Sequence, residues 1–518
     1  MRTRAPGYGL DSGDTGGDMA EAIGLRVADP KFWDPADLRQ EADRIFDICW
    51  GCRLCFKFCG SFPTLFELID GKTEHKRTEH LAAHPEIGVA AEAKRREAAA
   101  APPVEHHDGA EVGVTYGDEL PELQAHARDL TNAEIDRVVD LCFQCKLCYP
   151  NCPYTPPHDF ALDFPRLLLR WKAHRTRREG VSLQTRLIRD TATIGKVASL
   201  TPALTNLALR NPANRVVMEK VVNIHRDKLM PTYHRETFPR WWSRHTPRVE
   251  SLQPLKEGVE TPTPTKVALF STCLIDYNDP AVGIAAVQVL EHNGIEVVRP
   301  PQQVCCGMPF LDGGDLDAAG KKIRANVDAL APYVEQGYAI VIPSPSCSLM
   351  VREEFPQIVA GARTDSVAAR AHDLDEYLYR IAREGRLKRD FKRRFGNVRY
   401  HVPCHIRVQN IGIRGRDLLG LIADCVDTVQ ECSGHDGTWS MQTEHFTDSL
   451  RWGQKAFNGM RTDAGEPCAL ACTDCRLAAL HIEQGASRRT VHPVVALAHA
   501  YGFDSGVELE SRAVEDPV

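Results

Sequence analysis

Two stretches of this 518-residue chain carry cysteines at one repeated spacing, and that spacing restricts what the chain can become more than any other feature. The first is Cys49-x2-Cys52-x2-Cys55-x3-Cys59; the second is Cys142-x2-Cys145-x2-Cys148-x3-Cys152, followed by Pro153. Three thiolates, each two residues from the next, wrap one cubane [4Fe–4S] cluster, and where two such runs lie together the fourth cysteine reaches the other cluster. Cluster A is therefore expected on Cys49, Cys52, Cys55 and Cys152, and cluster B on Cys142, Cys145, Cys148 and Cys59. This crossing pins the two runs together and pushes residues 60–141 outward as an insert. Gly60 departs from the pattern, standing where a proline is expected after Cys59. Structural zinc is the plain alternative, but zinc sites pair two CxxC knuckles and do not use three cysteines in a row plus a fourth.

Eighteen cysteines without a signal-peptide core do not make a disulfide framework, because the cytosol keeps thiols reduced. Hydrophobic residues make up 43% of the chain, enough for several cores, and the length suggests about three domains. The net charge of −7 argues against a general nucleic-acid binder. No run approaches the roughly 18 consecutive apolar residues of a membrane span.

The expected fold class is multidomain α+β. Residues 1–30 read as a disordered leader. Residues 31–160 read as an α-helical two-cluster ferredoxin domain: Asp34 caps, Pro35 suits the first turn, and Leu38, Ala42, Ile45, Phe46 and Cys49 recur at helical spacing. An insert is expected at about 70–130, with 92–113 a helix decaying into a flexible loop, and Ala133 to Leu141 a helical lead-in to the second run. Residues 161–259 form a basic helical segment; between 161 and 248 there are 18 Lys/Arg against 6 Asp/Glu. Beyond the Pro/Thr linker at 260–265 strands alternate with helices, the mark of a mostly parallel sheet. Strands are expected at 266–273, at IEVVRP and at 338–344, with helices at 282–292 and 316–330. After a basic hinge (383–394) the plan recurs. NVRYHVPC (397–404) matches the first strand, ECSG (431–434) matches VCCG (304–307), and TDCRLAALHIE (473–483) matches PSCSLMVREEF (345–355). Two duplicated α/β cysteine-rich domains are expected, at 266–382 and 397–510.

At Cys273, Cys305-Cys306-Gly307 and Cys347-Ser348-Leu349-Met350 the chain resembles the cysteine-rich CCG domains of heterodisulfide reductases. It is also similar to the iron–sulfur subunit of anaerobic glycerol-3-phosphate dehydrogenase and related oxidoreductases. The resemblance runs from about residue 35 to 505, and VPCHIRVQNIG, ECSGHDGTW and TDCRLAALHIEQG look closest to the heterodisulfide reductase-related iron–sulfur branch. It implies a site of five cysteines per CCG domain, binding a non-cubane [4Fe–4S] cluster. The first copy keeps Cys273, Cys305, Cys306 and Cys347, with Met350 in the fifth place; four thiolates suffice, and a thioether is a poor iron ligand beside them. The second keeps Cys404, Cys432 and Cys475, with Ser433 and Ala478 where cysteines belong, and Cys472 as a substitute fourth thiolate. Its site holds a cluster with one open iron, a metal such as zinc, or nothing. Cys425 and Cys468 fit no ligand position and read as small buried hydrophobes.

His405 and His435, with Arg407, Asp436 and Trp439 in the same loops, either tune a nearby metal and move protons or are satisfied by backbone. In the basic segment Leu167, Leu168, Trp171, Leu183, Leu187 and Ile188 either pack inward or face an anionic membrane or partner. Trp241-Trp242, flanked by Arg240 and Arg244, suits an interface. No GxGxxG, Walker A loop, CxxCH or HExxH is present, so a flavin or nicotinamide step belongs to another polypeptide. The resemblance then implies an electron-transfer subunit. A flavoprotein dehydrogenase would supply electrons, two [4Fe–4S] clusters and one or two CCG-domain clusters would carry them, and quinone or another acceptor would take them. A membrane anchor through the basic segment fits this scheme, with a location in the cytoplasm or on the inner membrane face. A catalytic CCG subunit reducing a disulfide or another two-electron substrate is the alternative.

Overall fold

A computed structural model describes residues 27–85, 123–435, 437–461 and 468–513. The leader up to residue 26, the stretch 92–113, Asp436 and the Cys468 side chain lie outside the described residues.

The first body is helical. Asp34 caps α1 (Pro35–Cys52), its carboxylate accepting from Ala36 N at 2.8 Å and Asp37 N at 3.4 Å, and Pro35 opens the first turn. Leu38, Ala42, Ile45 and Phe46 turn inward. α2 (Ser61–Ala83) follows the first cysteine run at once and buries Phe62, Leu65, Phe66 and Ile69, an i, i+3, i+4, i+7 stripe. The chain after Cys59 is thus core for its first turns, and the outward path begins later than the spacing argument placed it. α3 (Asn132–Asp140) starts with a capping box in which Thr131 Oγ1 accepts from Glu134 N, and the Glu134 carboxylate accepts from Thr131 N. It adds Ile135, Val138 and Val139, and α4 (Phe164–Glu179) adds Phe164, Leu167 and Leu168.

Four short helices continue from α4: α5 (Leu183–Arg189), α6 (Thr191–Ala198), α7 (Pro202–Arg210) and α8 (Pro212–Val222). Ser182, Asp190 and Asn211 cap three of them, and Pro202 and Pro212 sit in first turns.

The rest is α/β. β1 (Lys266–Leu269), β2 (Glu296–Val298), β3 (Ala339–Ile342) and β4 (Ala371–Asp373) make a parallel sheet in the order β2-β1-β3-β4, with Val267 opposite Val297 and Ala339. Helices α9 (Pro280–His292) and α10 (Leu316–Glu335) connect strands, and α11 (Leu374–Arg383) follows β4. β5 (Arg393–His401), β6 (Ala423–Val429) and β7 (Cys468–Thr473) pair in parallel in the order β6-β5-β7, and β8 (Arg512–Ala513) runs antiparallel to β5. α12 (Phe446–Met460), α13 (Arg476–Ala486) and α14 (Pro493–Tyr501) complete this unit. One hydrophobic core joins both sheets, taking Val267, Leu269 and Val341 from the first and Val398, Tyr400 and Leu470 from the second.

Ligands of open α/β sheets gather beyond the carboxyl ends of the strands. Cysteines follow those ends here: Cys273 after β1, Cys305 and Cys306 after β2, Cys347 after β3, Cys404 after β5, Cys432 after β6 and Cys475 after β7.

Candidate metal centres and the cavity between them

The two cysteine loops of the helical body face each other. Cys49 has Cys55, Cys152 and Cys52 as neighbours; burial first, then those thiols, pushes it well above the ordinary thiol range. Burial, then Cys152 and Cys52, pushes Cys55 up to about 12. Cys59 lies with Cys142 and Cys145, and Cys148 with Cys145, Cys142 and Cys59; Cys59 and Cys142 are buried, Cys145 and Cys148 half-buried. The structure thus brings together the four residues assigned to cluster A and, separately, the four assigned to cluster B. Cys148 also senses Cys55, so the two sets adjoin. The first set lies at the surface, with Cys52, Leu54 and Phe56 exposed. Thiols crowded together become thiolates at once only around a cationic centre, so each donor set fits the iron of an iron–sulfur cluster.

In the first α/β unit Cys273 opens a short helix, its Sγ 3.1 Å from Thr191 Oγ1 of α6. Hydrogen bonds from Cys273 and then Cys306 hold Cys305 well below the usual thiol range. Cys306 in turn meets Cys347. All four residues expected here come together. Gly307 makes the turn after the pair at φ +99°, and the buried Met350 methyl lies 3.5 Å from the place a Cβ of Gly307 would take. Met350 packs in the core with Leu349 and Val351.

The second unit is less regular. Cys404 hydrogen-bonds with Cys145 and then with Cys432, so this set borders the Cys145 loop. Cys475 Sγ lies 3.7 Å from His435 Nε2, and burial pushes the thiol up to about 11. Cys472 does not join them. Side chains alternate along a strand, and Cys472 shares with Leu470 the face of β7 that enters the inter-sheet core. Cys425 is exposed on β6, correcting its reading as a buried hydrophobe. Gly434 has φ +72°, and a Cβ there would lie 1.9 Å from Ser449 O, so only glycine lets the Cys432 loop approach α12.

Loop side chains divide. His405 places Nδ1 2.9 Å from Ser346 Oγ and Nε2 3.1 Å from Gln144 O, and burial lowers it to about 4. Arg407 donates to Gln430 O at 2.7 Å, and Trp439 Nε1 donates to Asp140 O at 2.8 Å. These three tie loops to backbone. His405 and His435 both line a cavity of about 470 Å³.

That cavity is where the cysteine sets meet. Cys273, Cys305, Cys306 and Cys347 line one part, and Cys145, Cys404 and Cys475 another. The basic segment supplies part of its apolar wall: Leu187 and Ile188 of α5, Ile194 of α6, Leu209 of α7 and Met218 and Val222 of α8. The same helices show apolar residues outward. Leu183 is 78% exposed, Leu187 60%, and Leu204 and Leu207 66% each. The six apolar positions singled out in this segment therefore split: Leu167 and Leu168 are core, Trp171 is half-buried, Leu187 and Ile188 line the cavity, with Leu187 also largely exposed, and Leu183 faces outward. Trp241 and Trp242 pack against the inter-sheet core. Sequence reasoning missed this wall, because four helices that are apolar on two sides give no single stripe. Among the described residues no helix is long and apolar enough to cross a membrane.

Two stretches of the chain match known domain families. Residues 267–352 match the cysteine-rich (CCG) domain, and residues 120–178 match the citrate utilization protein B Fer4-like domain. An anaerobic glycerol-3-phosphate dehydrogenase subunit of Escherichia coli (strain K12) is 26% identical over 324 residues, 62% of this chain and 77% of the relative. Lactate utilization protein A of Bacillus pumilus (strain SAFR-032) is 32% identical over 195 residues, 36% of this chain and 79% of the relative. With a Fer4-like stretch ahead of a CCG domain and thiols gathered at both, the chain belongs to the CCG-domain iron–sulfur oxidoreductase family.

Proposed function

We propose that the chain is the iron–sulfur electron-transfer subunit of a multi-subunit oxidoreductase, linking a flavoprotein dehydrogenase subunit to a quinone. The observation that carries this reading is the continuity of thiols from the exposed Cys52 through Cys55 and Cys148 to Cys145 and Cys404 at the cavity. Bound at these sets, [4Fe–4S] clusters supply one-electron transfer. Cys49, Cys52, Cys55 and Cys152 would hold the cluster that the partner reaches, and Cys142, Cys145, Cys148 and Cys59 the inner one. Cys273, Cys305, Cys306 and Cys347 would hold a third. Cys404, Cys432 and Cys475 offer three thiolates for a fourth centre, iron–sulfur or zinc. We read 397–510 as an eroded second copy of 266–382, supported by the like orders β2-β1-β3 and β6-β5-β7.

The acceptor side favours a lipophilic molecule. The cavity wall is apolar, and the outer faces of α5–α8 carry exposed leucines among Arg186, Lys196, Arg210 and Lys220. Burying one such leucine in lipid is worth about 1.5–3 kcal/mol, and each cation near an anionic surface adds about 1 kcal/mol. The basic helices would rest on a membrane face and pass quinone to the cavity. A second reading, direct reduction of a disulfide or another two-electron substrate, is favoured by one observation: cysteines of both α/β units line the same cavity.

The test is anaerobic turnover of the purified chain from a reduced viologen dye to a short-chain quinone or to a small disulfide. Quinone reduction without disulfide reduction supports the relay. Disulfide reduction alone overturns it in favour of the second reading.

A further inference from the structure

Among the sulfurs gathered at the cavity, Cys273 Sγ takes one hydrogen-bond partner from a distant part of the chain. Thr191 Oγ1 of α6 lies 3.1 Å from it, 82 positions away in the sequence. The neighbouring α/β sulfurs use donors of their own loops. Gly434 N donates to Cys432 Sγ at 3.3 Å, and Gly307 N donates to Cys305 Sγ. Those amides come with the loops that carry the cysteines. The Thr191 hydroxyl is brought in by the basic helices.

The packing of α6 holds that hydroxyl in place. Asp190 fixes the first turn, its carboxylate accepting from Thr193 Oγ1 at 2.7 Å. Thr191, Ile194 and Ala198 line the cavity at i, i+3 and i+7, one face of the helix. Gly195 packs on Tyr277, the last residue of the short helix (Cys273–Tyr277) that Cys273 opens. A Cβ on Gly195 would lie 2.4 Å from the Tyr277 ring, so only glycine lets α6 come this close to the Cys273 helix.

A thiolate bound to iron carries no proton, so in a loaded site Thr191 is the donor. The bond offsets negative charge on the sulfur. Reduction adds an electron to the centre, so the reduced form is stabilised by this donor more than the oxidised form is. Hydrogen bonds to ligating sulfurs are one of the levers that set cluster potentials. The apolar wall beside Thr191 lowers the local dielectric, which strengthens the effect.

We propose that Thr191 sets the reduction potential of the centre on Cys273, Cys305, Cys306 and Cys347, raising it so that electrons are drawn from the inner cluster to the cavity. This rests on the reading that those four thiolates hold an iron–sulfur cluster. The step is a one-electron transfer in which the inner cluster is oxidised and the cavity centre reduced, with no proton moved. Thr191 is a positioning residue, acting through Cys273.

The experiment is a mediated redox titration of the anaerobically purified, iron-loaded chain, read by EPR. The signal followed is the one that appears on oxidation and that Cys347→Ser abolishes. Thr191→Val keeps the shape of the side chain and removes the hydroxyl. It is expected to shift the equilibrium of that signal about tenfold toward the oxidised form, about 59 mV for one electron, with iron and sulfide per chain unchanged. Thr191→Ser keeps the donor and is expected to stay within about twofold of the wild type. A second readout reports the bond itself. In ENDOR of the same signal the wild type should show a proton coupling that heavy water removes, and Thr191→Val should lack it. An unmoved midpoint or the same exchangeable coupling in Thr191→Val, an equal shift in Thr191→Ser, or loss of this centre's iron from Thr191→Val would each overturn the proposal and leave the cluster reading standing. A wild type with about 8 Fe and no signal on oxidation overturns both.

Discussion

Lys146 Nζ lies 2.5 Å from the Glu354 carboxylate, and both side chains are almost fully buried. Lys146 sits between Cys145 and Cys148, and Glu354 belongs to the π-helical turn after Cys347, so one ion pair fastens the inner cysteine loop to the first α/β unit. Removing one partner of a buried pair strands a charge and costs about 3–5 kcal/mol. Lys146→Met and Glu354→Gln should each lower the unfolding free energy by that order in urea titrations. A Lys146→Met/Glu354→Met double variant should recover part of the loss.

The grouping of thiols across the two loops makes Cys59 and Cys152 separable. Cys59→Ser should perturb the cluster expected on Cys142, Cys145 and Cys148, and Cys152→Ser the one on Cys49, Cys52 and Cys55. Each variant should lose about 4 Fe per chain, with different EPR signals surviving. The same signal lost in both variants would mean that the fourth thiols are not exchanged between the runs.

The outward leucines of α7 give a test of the membrane-facing reading. Leu204→Glu/Leu207→Glu changes exposed positions, so stability should move by no more than about 0.5 kcal/mol per site. Flotation with phosphatidylglycerol vesicles should fall by at least about tenfold, since apolar contact is lost and negative charge is added. Equal flotation of variant and wild type would place the contact elsewhere.

Burial lowers His401 to about 4, with Nδ1 3.1 Å from Thr473 Oγ1 and Nε2 3.2 Å from Glu431 O. The unfolded imidazole protonates near pH 6.5, so the stability that neutral His401 permits is full above that pH and is lost as pH falls toward 4. The loss reaches about 3 kcal/mol. In thermal unfolding, His401→Asn should show a weaker fall in Tm between pH 6.5 and 4.5 than the wild type.

Much of the site was legible because iron–sulfur ligation writes itself as local spacing. The two runs, the pair Cys305-Cys306 before the left-handed Gly307, and the strand ends that precede Cys273 and Cys404 are each set by a few neighbouring residues. The cap Asp34 and the stripe of α1 were legible for the same reason. What escaped lies between distant segments. Nothing local joins Cys145 to Cys404, Lys146 to Glu354 or Thr191 to Cys273. Cys472, only three residues from Cys475, looked like a substitute ligand, but strand alternation turns it into the core. Periodicity marked Leu183, Leu187 and Ile188 as apolar, yet could not say that Leu187 and Ile188 would wall a cavity while Leu183 faced outward.

The most direct measurement is iron and acid-labile sulfide per chain in anaerobically purified protein, with EPR of reduced and oxidised forms. Thiols gathered at both the loops and the cavity predict about 12 to 16 Fe, with a signal that appears on oxidation in addition to those of the reduced cubanes. About 8 Fe, with reduced-state signals alone, would contradict a working centre at the cavity and leave the α/β units without an iron–sulfur role.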